Sequence, residues 1–565
     1  MRMKKLTVFA VLICIAALAF AGGGQQSTGG STSTNVPKEI SAPNSPITIS
    51  VYHETGNHPQ PAANNPIVQY LKDKLNVQFT WDILVGDAKQ KQGVMIAGGQ
   101  YPDLLELRDS TWIDGNALIP LEDLIEQYGP RIKALYKDVW DKMKSPDGHI
   151  YYMVNYGVFT GRDQTPDYDQ AAFWIQTAVL KDAGYPKITT VDQYFDLISA
   201  YYRKYPTING QPTIPFAILT HDWRAFELWN PPNFLAGNPN DGNGVVDASN
   251  NYKYTTFFTM DISKRWFQKL NQLNQQGLID RTSFTDTYDQ FAAKIASGRM
   301  LGTSVQGWQI GNQNNAARDR DPLRKMVPLP IVWDANTRPW YRNVTIPNLL
   351  RGVGISVSAK DPVRIIRFFD AYLAEDVQRT INWGIEGQHW QWQGTGSSRT
   401  PTRTQAQLDN WRNQQWQEAN RLLLLGDVTP KLQGSFSDGF PSDLSYYYPI
   451  RSAGLLPSER EVYEAYGVSG TNELMDKNPR PNNPWFPTWN MPTPPDGSPA
   501  QTAITRMENT MKQRLPQIIL AQPAQFETQW TAYVNEMRTN GVATYEQYMQ
   551  EQLNQRLRDW GVVKR

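Results

Sequence analysis

The sequence predicts an α/β fold, and two observations support this prediction. Between residues 46 and 107, segments with strand-like patterns alternate with segments that carry a helical stripe of apolar residues. This order is typical of a parallel sheet with helices packed on its faces. The chain of 565 residues is also long enough for two or more lobes, each with its own core.

Three strands and two helices form the predicted start of the fold. The strands are “PITISVYHE” (46–54), “VQFTWDILV” (77–85) and the end of “GGQYPDLLEL” (98–107). The helices are “NPIVQYLKDKL” (65–75) and a segment from about Ala88 to Ala97. Ligands of parallel sheets bind beyond the carboxyl ends of the strands. We therefore expect “YHETGNH” (52–58) and the residues after Leu107 to lie at a site.

The later segments extend the α/β prediction. Residues 160–320 are mostly helical, with an amphipathic helix at 261–280 stopped by Gly277. The segment 289–308 predicts a helix, a strand and then a loop, and 350–358 predicts another strand. A single helix is predicted over 361–384, with Asp361 as N-cap, Pro362 at the first position and Gly384 at the end. A proline-rich segment (478–497) precedes the C-terminal helices.

The N-terminus resembles an export signal. A charged start is followed by the apolar run Leu6 to Leu18 and by Ala19-Phe20-Ala21, a cleavage site before Gly22. We predict a signal peptide over 1–21 and a flexible linker over 22–45, which is rich in Gly, Ser and Thr. Cys14 is the single cysteine, and Ile13 before it is bulkier than lipid attachment requires. A secreted, soluble, periplasmic protein without a lipid anchor is expected.

Composition excludes some functions. The 55 basic and 54 acidic residues nearly balance, which argues against a nucleic-acid partner. The chain has no phosphate loop, no HExxH motif and no GxSxG elbow. The five histidines are scattered, and “NPNDGNGVVD” (238–247) lacks the final glutamate of a calcium loop. We expect no catalytic residue, no metal and no cofactor.

Several segments together resemble one family. They are “IAGGQYPDLLEL”, “ALIPLEDLIEQYGPRIKAL”, “WIQTAVLKDAGYPKITTVDQYFDLISAY”, “LNQLNQQGLID” with “AAKIASGRMLG”, and “GVGISVSAKDPVRIIRFFDAYLAEDVQRTINWGIEGQHW”. In this order they resemble the extracellular solute-binding proteins of family 1, in particular the LplA-like group that serves sugar ABC importers. The resemblance covers about residues 47–560.

The resemblance implies a two-lobed periplasmic-binding-protein-like fold of type II. A ligand would bind in a cleft between lobes joined by a hinge, and the closed form would dock on a membrane permease. We expect lobe 1 to comprise 46–157 with about 345–440, and lobe 2 to comprise 158–344 with about 441–565. A monomer is expected. Relatives often carry a calcium-like loop where this chain has “KYPTINGQPTIPFAI” (204–218), which contains no acidic residue.

A sugar requires aromatic rings for its C–H face and planar polar groups for its hydroxyls. Aromatic and polar residues in loops at element ends are therefore candidates for ligand binding: His53, Glu54, Asp109, Trp174, Trp223, Arg224, Trp308, Trp383, Glu386 and Trp390. Packing in a core is the alternative for the tryptophans, and contact with solvent is the alternative for the polar residues. The stretch “NWGIEGQHWQW” (382–392) supplies the last three and is expected near the hinge.

The expected function is that of the binding component of an ABC importer for a carbohydrate, in particular an oligosaccharide. Two alternatives stay open. The same architecture could bind a peptide or a polyol, although the predicted loops carry no arginine cluster for a ligand carboxylate. The chain could also be a secreted polysaccharide-active enzyme, because sequence alone does not exclude two carboxylates that meet across a cleft.

Overall fold

The computed structural model describes residues 42–54, 59–161, 171–343, 345–477 and 480–564. The predicted signal peptide and most of the predicted linker lie outside these ranges, as does the predicted site segment 55–58. Within the described ranges, no helix has both the length and the apolar character needed to cross a membrane.

Strands occur along most of the described chain. In order they are β1 (Ile47–His53), β2 (Val77–Ile83), β3 (Leu104–Leu107), β4 (Met153–Val154), β5 (Phe159–Thr160), β6 (Ala171–Gln176), β7 (Thr207–Ile208), β8 (Gln211–Pro212), β9 (Ile214–Ala217), β10 (Gly244–Asp247), β11 (Lys253–Thr256), β12 (Met300–Gln306), β13 (Met326–Leu329), β14 (Gly352–Ile355), β15 (Gln391–Gln393), β16 (Thr400–Thr402) and β17 (Gln433–Gly434). The predicted strands of the first 107 residues are confirmed within two or three residues at their ends.

The α-helices connect and cover these strands. They are α1 (Pro66–Leu75), α2 (Ala88–Gly98), α3 (Thr111–Asp114), α4 (Glu122–Tyr128), α5 (Pro130–Tyr136), α6 (Thr177–Asp182), α7 (Val191–Lys204), α8 (Phe226–Trp229), α9 (Pro231–Leu235), α10 (Asp261–Gln275), α11 (Tyr288–Ala296), α12 (Gly307–Arg320), α13 (Pro362–Tyr372), α14 (Glu375–Trp383), α15 (Gln405–Arg412), α16 (Gln414–Asn420), α17 (Tyr448–Ala453), α18 (Pro457–Tyr466), α19 (Thr471–Met475), α20 (Pro499–Leu520), α21 (Phe526–Thr539) and α22 (Val542–Asp559).

The first sheet has the order β2-β1-β3-β14-β4. β1 pairs in parallel with β2 and with β3, as the strand-helix-strand pattern predicts. β14 pairs antiparallel with both β3 and β4, so the sheet is mixed and not fully parallel. The sheet departs from the predicted parallel pattern because β14 comes from a much later part of the chain, which returns to the first sheet after the strands of the second.

The second sheet has the order β13-β6-β12-β9. β6, β12 and β13 are buried along their whole length, because helices cover both faces of this sheet. Its core includes Phe173, Trp266 and Leu301, together with residues of the C-terminal helices α20 to α22. The core of the first sheet draws on residues within 49–158, 353–377 and 422–428. The lobe boundaries given above stay a prediction.

The predicted helix over 361–384 is two helices, α13 and α14. The predicted start is confirmed, since the Asp361 side chain accepts a hydrogen bond from the backbone N–H of Arg364. The helix is interrupted at Ala374, which has an extended backbone. The side chain of Gln378 donates a hydrogen bond to the carbonyl of Tyr372 at the end of α13. The apolar pattern runs through the break because both helices pack on the same core, so periodicity alone does not reveal it.

Three connecting segments are held together beside the two sheets. The N–H of Asn348 donates to the Tyr156 carbonyl (3.0 Å), and the N–H of Gly157 donates to Oε1 of Gln433 (2.6 Å). β5 pairs in parallel with β17 in the same region. Two of these segments connect one sheet with the other, and the third leads from the core of the first sheet to the C-terminal helices that pack on the second, so a change of angle between the sheets would act on their hydrogen bonds.

We expect a Gly157→Ala substitution to destabilise the protein by several kcal/mol, as steric strain at a left-handed position does. Gly157 has φ +83°, and an added Cβ would lie 1.9 Å from the carbonyl oxygen of Ile346. Urea unfolding measures the effect. Gly148→Ala is a matched control, because Gly148 has φ +90° and open space around its Cβ position. Equal losses in the two variants would contradict the role of the Ile346 contact.

Candidate functional site

A cleft of about 1140 Å³ is lined by residues that follow strands of both sheets. Asp109 follows β3 of the first sheet, whereas Trp223 and Trp308 follow β9 and β12 of the second. The position agrees with the rule that ligands of α/β sheets bind beyond the carboxyl ends of strands. The cleft is the candidate functional site.

Two tryptophans form a stacked pair on one side of the cleft. The rings of Trp223 and Trp308 are 5.8 Å apart between centroids and inclined by only 8°. The side chains are 58% and 54% exposed, which is unusual for tryptophan. The guanidinium of Arg224 lies 4.7 Å from the Trp223 ring and 4.2 Å from the Tyr288 ring, so it supports the pair from outside the cleft lining.

Trp308 lies in the first turn of α12, where the sequence predicts a loop. This helix begins where the buried carboxyl group of Glu227 accepts hydrogen bonds from the N–H of Gln306 (2.9 Å) and from Nε2 of Gln309 (2.8 Å). A distant side chain thus satisfies a free N–H at the helix start. Because Glu227 belongs to α8, directly after the segment that carries Trp223, it connects the two halves of the stacked pair.

The charge state of Glu227 gives a prediction on pH. Burial raises its pKa to about 8, so the carboxyl group keeps its proton in the folded protein up to that pH. In the unfolded chain the group loses its proton near its usual value of 4.5. Between these two values the folded state binds the extra proton, and the free energy of unfolding must fall as pH rises.

Between pH 5.5 and pH 8 the titration of Glu227 should lower the free energy of unfolding of the parent protein by roughly 3 kcal/mol. We expect this part of the pH dependence to be absent in Glu227→Gln. Glutamine can still accept both hydrogen bonds but does not titrate. Urea unfolding of both proteins at the two pH values measures the difference. The same pH dependence in the variant and the parent would show that Glu227 does not titrate in this range.

The first sheet contributes an ion pair to the cleft. Nζ of Lys89 donates to Oδ2 of Asp109 (2.6 Å) and to Oγ1 of Thr111 (2.5 Å). Burial acts to raise the pKa of Asp109, but the hydrogen bonds from Lys89 and Thr111 hold it below its usual value. Asp109 is therefore a fixed anionic acceptor at the cleft, in the place that the sequence predicts.

His53 and Glu54 are predicted to bind a ligand but do not line the cleft. His53 is fully buried, with Nδ1 3.7 Å from Oε2 of Glu106 and Nε2 3.5 Å from Oδ2 of Asp427. Glu54 accepts a hydrogen bond from Gln92 (2.8 Å), and burial raises its pKa to about 7. Arg351 forms an ion pair with Asp427 in the same cluster. These groups are placed to fix the carboxyl ends of β1 and β3.

Trp383 and Trp390, predicted to bind a ligand, lie in a separate apolar cluster outside the cleft lining. Both are almost fully buried, their centroids are 4.7 Å apart, and each indole N–H donates to a backbone carbonyl. Glu386 is exposed and also outside the lining. Nδ1 of His389 accepts from the N–H of Ile385, so the Glu-x-x-His spacing does not form a paired site. Packing is the physical reason for the tryptophan density of this stretch.

Trp174 and Arg224 are the remaining predicted residues outside the lining. Trp174 is buried within β6, and its Nε1 donates to the carbonyl of Val305 (2.9 Å). Of the ten predicted residues, the structure brings Asp109, Trp223 and Trp308 together around the cleft, with Arg224 beneath the stack. That these residues contact a ligand stays a prediction.

The sequence interpretation missed part of the lining. Trp489, 45% exposed, comes from the proline-rich segment that we interpreted as a separator, and its Nε1 donates to the carbonyl of Asn240. The sequence feature that could have identified Trp489 is the cluster of aromatic residues in “PWFPTWNMP”. Amide side chains also line the cleft in number: Asn230, Asn240, Asn243, Gln306, Asn343, Asn348, Asn382, Gln433 and Gln501. Nothing in the local sequence distinguishes these from other polar loop residues.

The sequence predicts that the chain binds no metal ion, and this stays a prediction. Within the part of the chain that the structure describes, no group of three or more His, Cys, Asp or Glu side chains could hold a metal ion. The loop 204–218 forms the small β7–β8 hairpin, with Asn209 and Gly210 at positive φ in its turn.

No family model matches the chain. The fructooligosaccharide ABC transporter substrate-binding protein FusA of Streptococcus pneumoniae serotype 4 is 27% identical over 254 residues, which cover 40% of this chain and 44% of that protein. The matched region thus spans less than half the length of this curated relative.

Solved structures resemble almost the whole chain. An HMO-binding, ABC-transporter-associated solute-binding protein of Bifidobacterium longum infantis superposes with a TM-score of 0.63 at 15% identity, over 90% of this chain and 99% of that one. The fold is that of solute-binding proteins. FusA in complex with kestose gives a TM-score of 0.60 at 18% identity over 90% and 99% of the chains. The alginate-binding protein AlgQ2 gives 0.60 at 17% identity over 90% and 98%. The predicted two-lobed α/β fold is confirmed.

Proposed function

We propose that this chain is the substrate-binding component of an ABC importer and that it captures an oligosaccharide in the cleft. The observation that carries the proposal is the cleft itself, where an exposed tryptophan pair stands among many amide side chains. Aromatic rings cover the C–H face of a sugar, and amides both donate to and accept from its hydroxyls. The likeness to FusA and to the solute-binding structures agrees with it.

The size of the cleft supports an oligosaccharide and not a single sugar. Its volume of about 1140 Å³ exceeds the roughly 300–1,000 Å³ of common small-molecule sites. Lining residues come from segments on both sides, so a ligand that contacts both would favour closure by population shift. The three connecting segments at 156–160, 345–348 and 433–434 are the proposed hinge.

The proposal includes the cellular setting. The protein would be exported, cleaved before Gly22 and free in the periplasm, and its closed form would dock as a monomer on the membrane permease. Intact mass of the exported protein tests the first part. A chain that starts at Gly22 is the expected result, and a diacylglyceryl adduct would contradict it.

Incubation of the purified mature protein with a glycan library tests the function. Ligand-dependent thermal stabilisation without product is expected, and it should reach about 2.7 kcal/mol at a ligand concentration one hundred times the dissociation constant. Formation of shorter glycans would favour the alternative of a polysaccharide-active enzyme. A peptide panel and a polyol panel are assayed in parallel, and stabilisation by one of these but by no glycan would favour the other alternative and contradict a carbohydrate ligand.

A further inference from the structure

The charges that line the cleft are balanced. Among the described residues, four basic side chains line it: Lys89, Arg421, Lys431 and Lys512. Four acidic side chains line it as well, including Asp109, Asp443 and Glu508. The described part of the lining therefore leaves no excess charge of either sign for a ligand.

The two lysines nearest the first sheet already have partners. Lys89 is held by Asp109 and Thr111, at 2.6 and 2.5 Å. Nζ of Lys431 donates to the carbonyl of Gly426 (3.0 Å). Burial lowers the pKa of Lys431 to about 8 although Asp427 and Asp443 act in the opposite direction, so this amine keeps most of its charge at neutral pH and the two carboxylates offset that charge.

The other two basic groups are engaged within the protein. Nη1 of Arg421 donates to Gln417 (3.0 Å), and its guanidinium lies 4.6 Å from the ring of Trp411. Its buried Nε has no hydrogen-bond partner among the described residues, and the nearby carboxylate of Asp443 offsets its charge. Lys512 lies one helical turn from Glu508 on α20. Burial raises the pKa of Glu508 and Lys512 acts to lower it, so the two groups interact electrostatically. Arg421 is the single arginine among the described lining residues, so this part of the lining has no arginine cluster that could receive carboxylates in a bidentate manner.

We propose that the cleft is specific for a neutral oligosaccharide and rejects chains of uronic acids; this inference rests on the proposed function. A uronate would bring one carboxylate per sugar into a site whose cations are already compensated. A charge that loses water without gaining a partner is strongly disfavoured. Hydroxyl groups can instead be satisfied by lining amides such as Asn243, Asn382 and Gln501, because an amide both donates and accepts. The balance of charge, and not the aromatic stack, selects the class of sugar.

The test uses two panels of tetrasaccharides and the full mature protein. The neutral panel contains tetramers of glucose, galactose, mannose, xylose and fructose; the acidic panel contains tetramers of mannuronate, guluronate and galacturonate. Thermal shift and calorimetry at 20 and 500 mM NaCl measure binding. We expect at least one neutral tetramer to bind at least 100-fold more tightly than every acidic one, with an affinity that changes less than twofold with salt.

The outcomes separate the two proposals. Tighter binding of a uronate tetramer, with an affinity that falls as salt rises, would overturn the inference on charge and leave the function in place. Absence of stabilisation by both panels would overturn the proposed function, and the inference with it. Comparison of a galacturonate tetramer with its methyl ester removes charge at constant backbone, and tighter binding of the charged form would also overturn the inference.

Discussion

Replacing Trp308 with alanine is expected to weaken oligosaccharide binding by about 2 kcal/mol, which corresponds to roughly a 30-fold increase in Kd. The indole is 54% exposed and stacked on Trp223 at the cleft, so its removal deletes a ligand-facing surface while the core stays intact. Isothermal titration with the best ligand of the glycan library measures the change. The melting temperature of the free protein should change little.

A matched control distinguishes loss of a cleft surface from loss of any aromatic side chain. Tyr448 is 52% exposed and does not line the cleft, so Tyr448→Ala should bind as the parent does. Trp223→Ala should resemble Trp308→Ala, because the two rings form one surface. An affinity within threefold of the parent in Trp308→Ala would remove this residue from the proposed site.

Replacing Trp383 with alanine is expected to lower the free energy of unfolding by about 3–5 kcal/mol. The side chain is fully buried, lies 4.7 Å from the Trp390 ring, and is covered by Arg379, whose guanidinium is 4.3 Å from the Trp383 ring. Its Nε1 also donates to the carbonyl of Pro441 (3.1 Å), which ties α14 to a later loop. Urea unfolding measures the loss.

Glu386→Gln serves as the control in the same stretch. The carboxylate is exposed, so the substitution should change stability by less than about 0.5 kcal/mol and leave binding unchanged. If Trp383→Ala kept its stability and lost affinity, the tryptophan would have the ligand-binding role that the sequence first suggested. If Glu386→Gln lost affinity, the acidic residue of this stretch would belong to the site.

Local sequence determined the strands, helices and helix ends that depend only on neighbouring residues. The first three strands and two helices follow from alternation, helical stripes and caps, and Asp361, Pro362, Gly277 and Gly384 act where the sequence places them. The position of Asp109 beyond β3 and of Trp223 beyond β9 also follows, because a strand end can be recognised without its neighbours.

Only the tertiary structure decided which side chains meet. Trp308 and Trp383 look alike in sequence, since each lies near a glycine close to the end of a predicted element. The first is exposed at the cleft because Glu227, 81 residues earlier, starts its helix, whereas the second is enclosed by residues from 390 to 450. Burial is set by contacts between distant segments, and the same holds for the amides and the compensated cations of the cleft. The sequence by itself determined the fold class and the types of side chain that are available for binding. Long-range packing decided which of these side chains line the cleft.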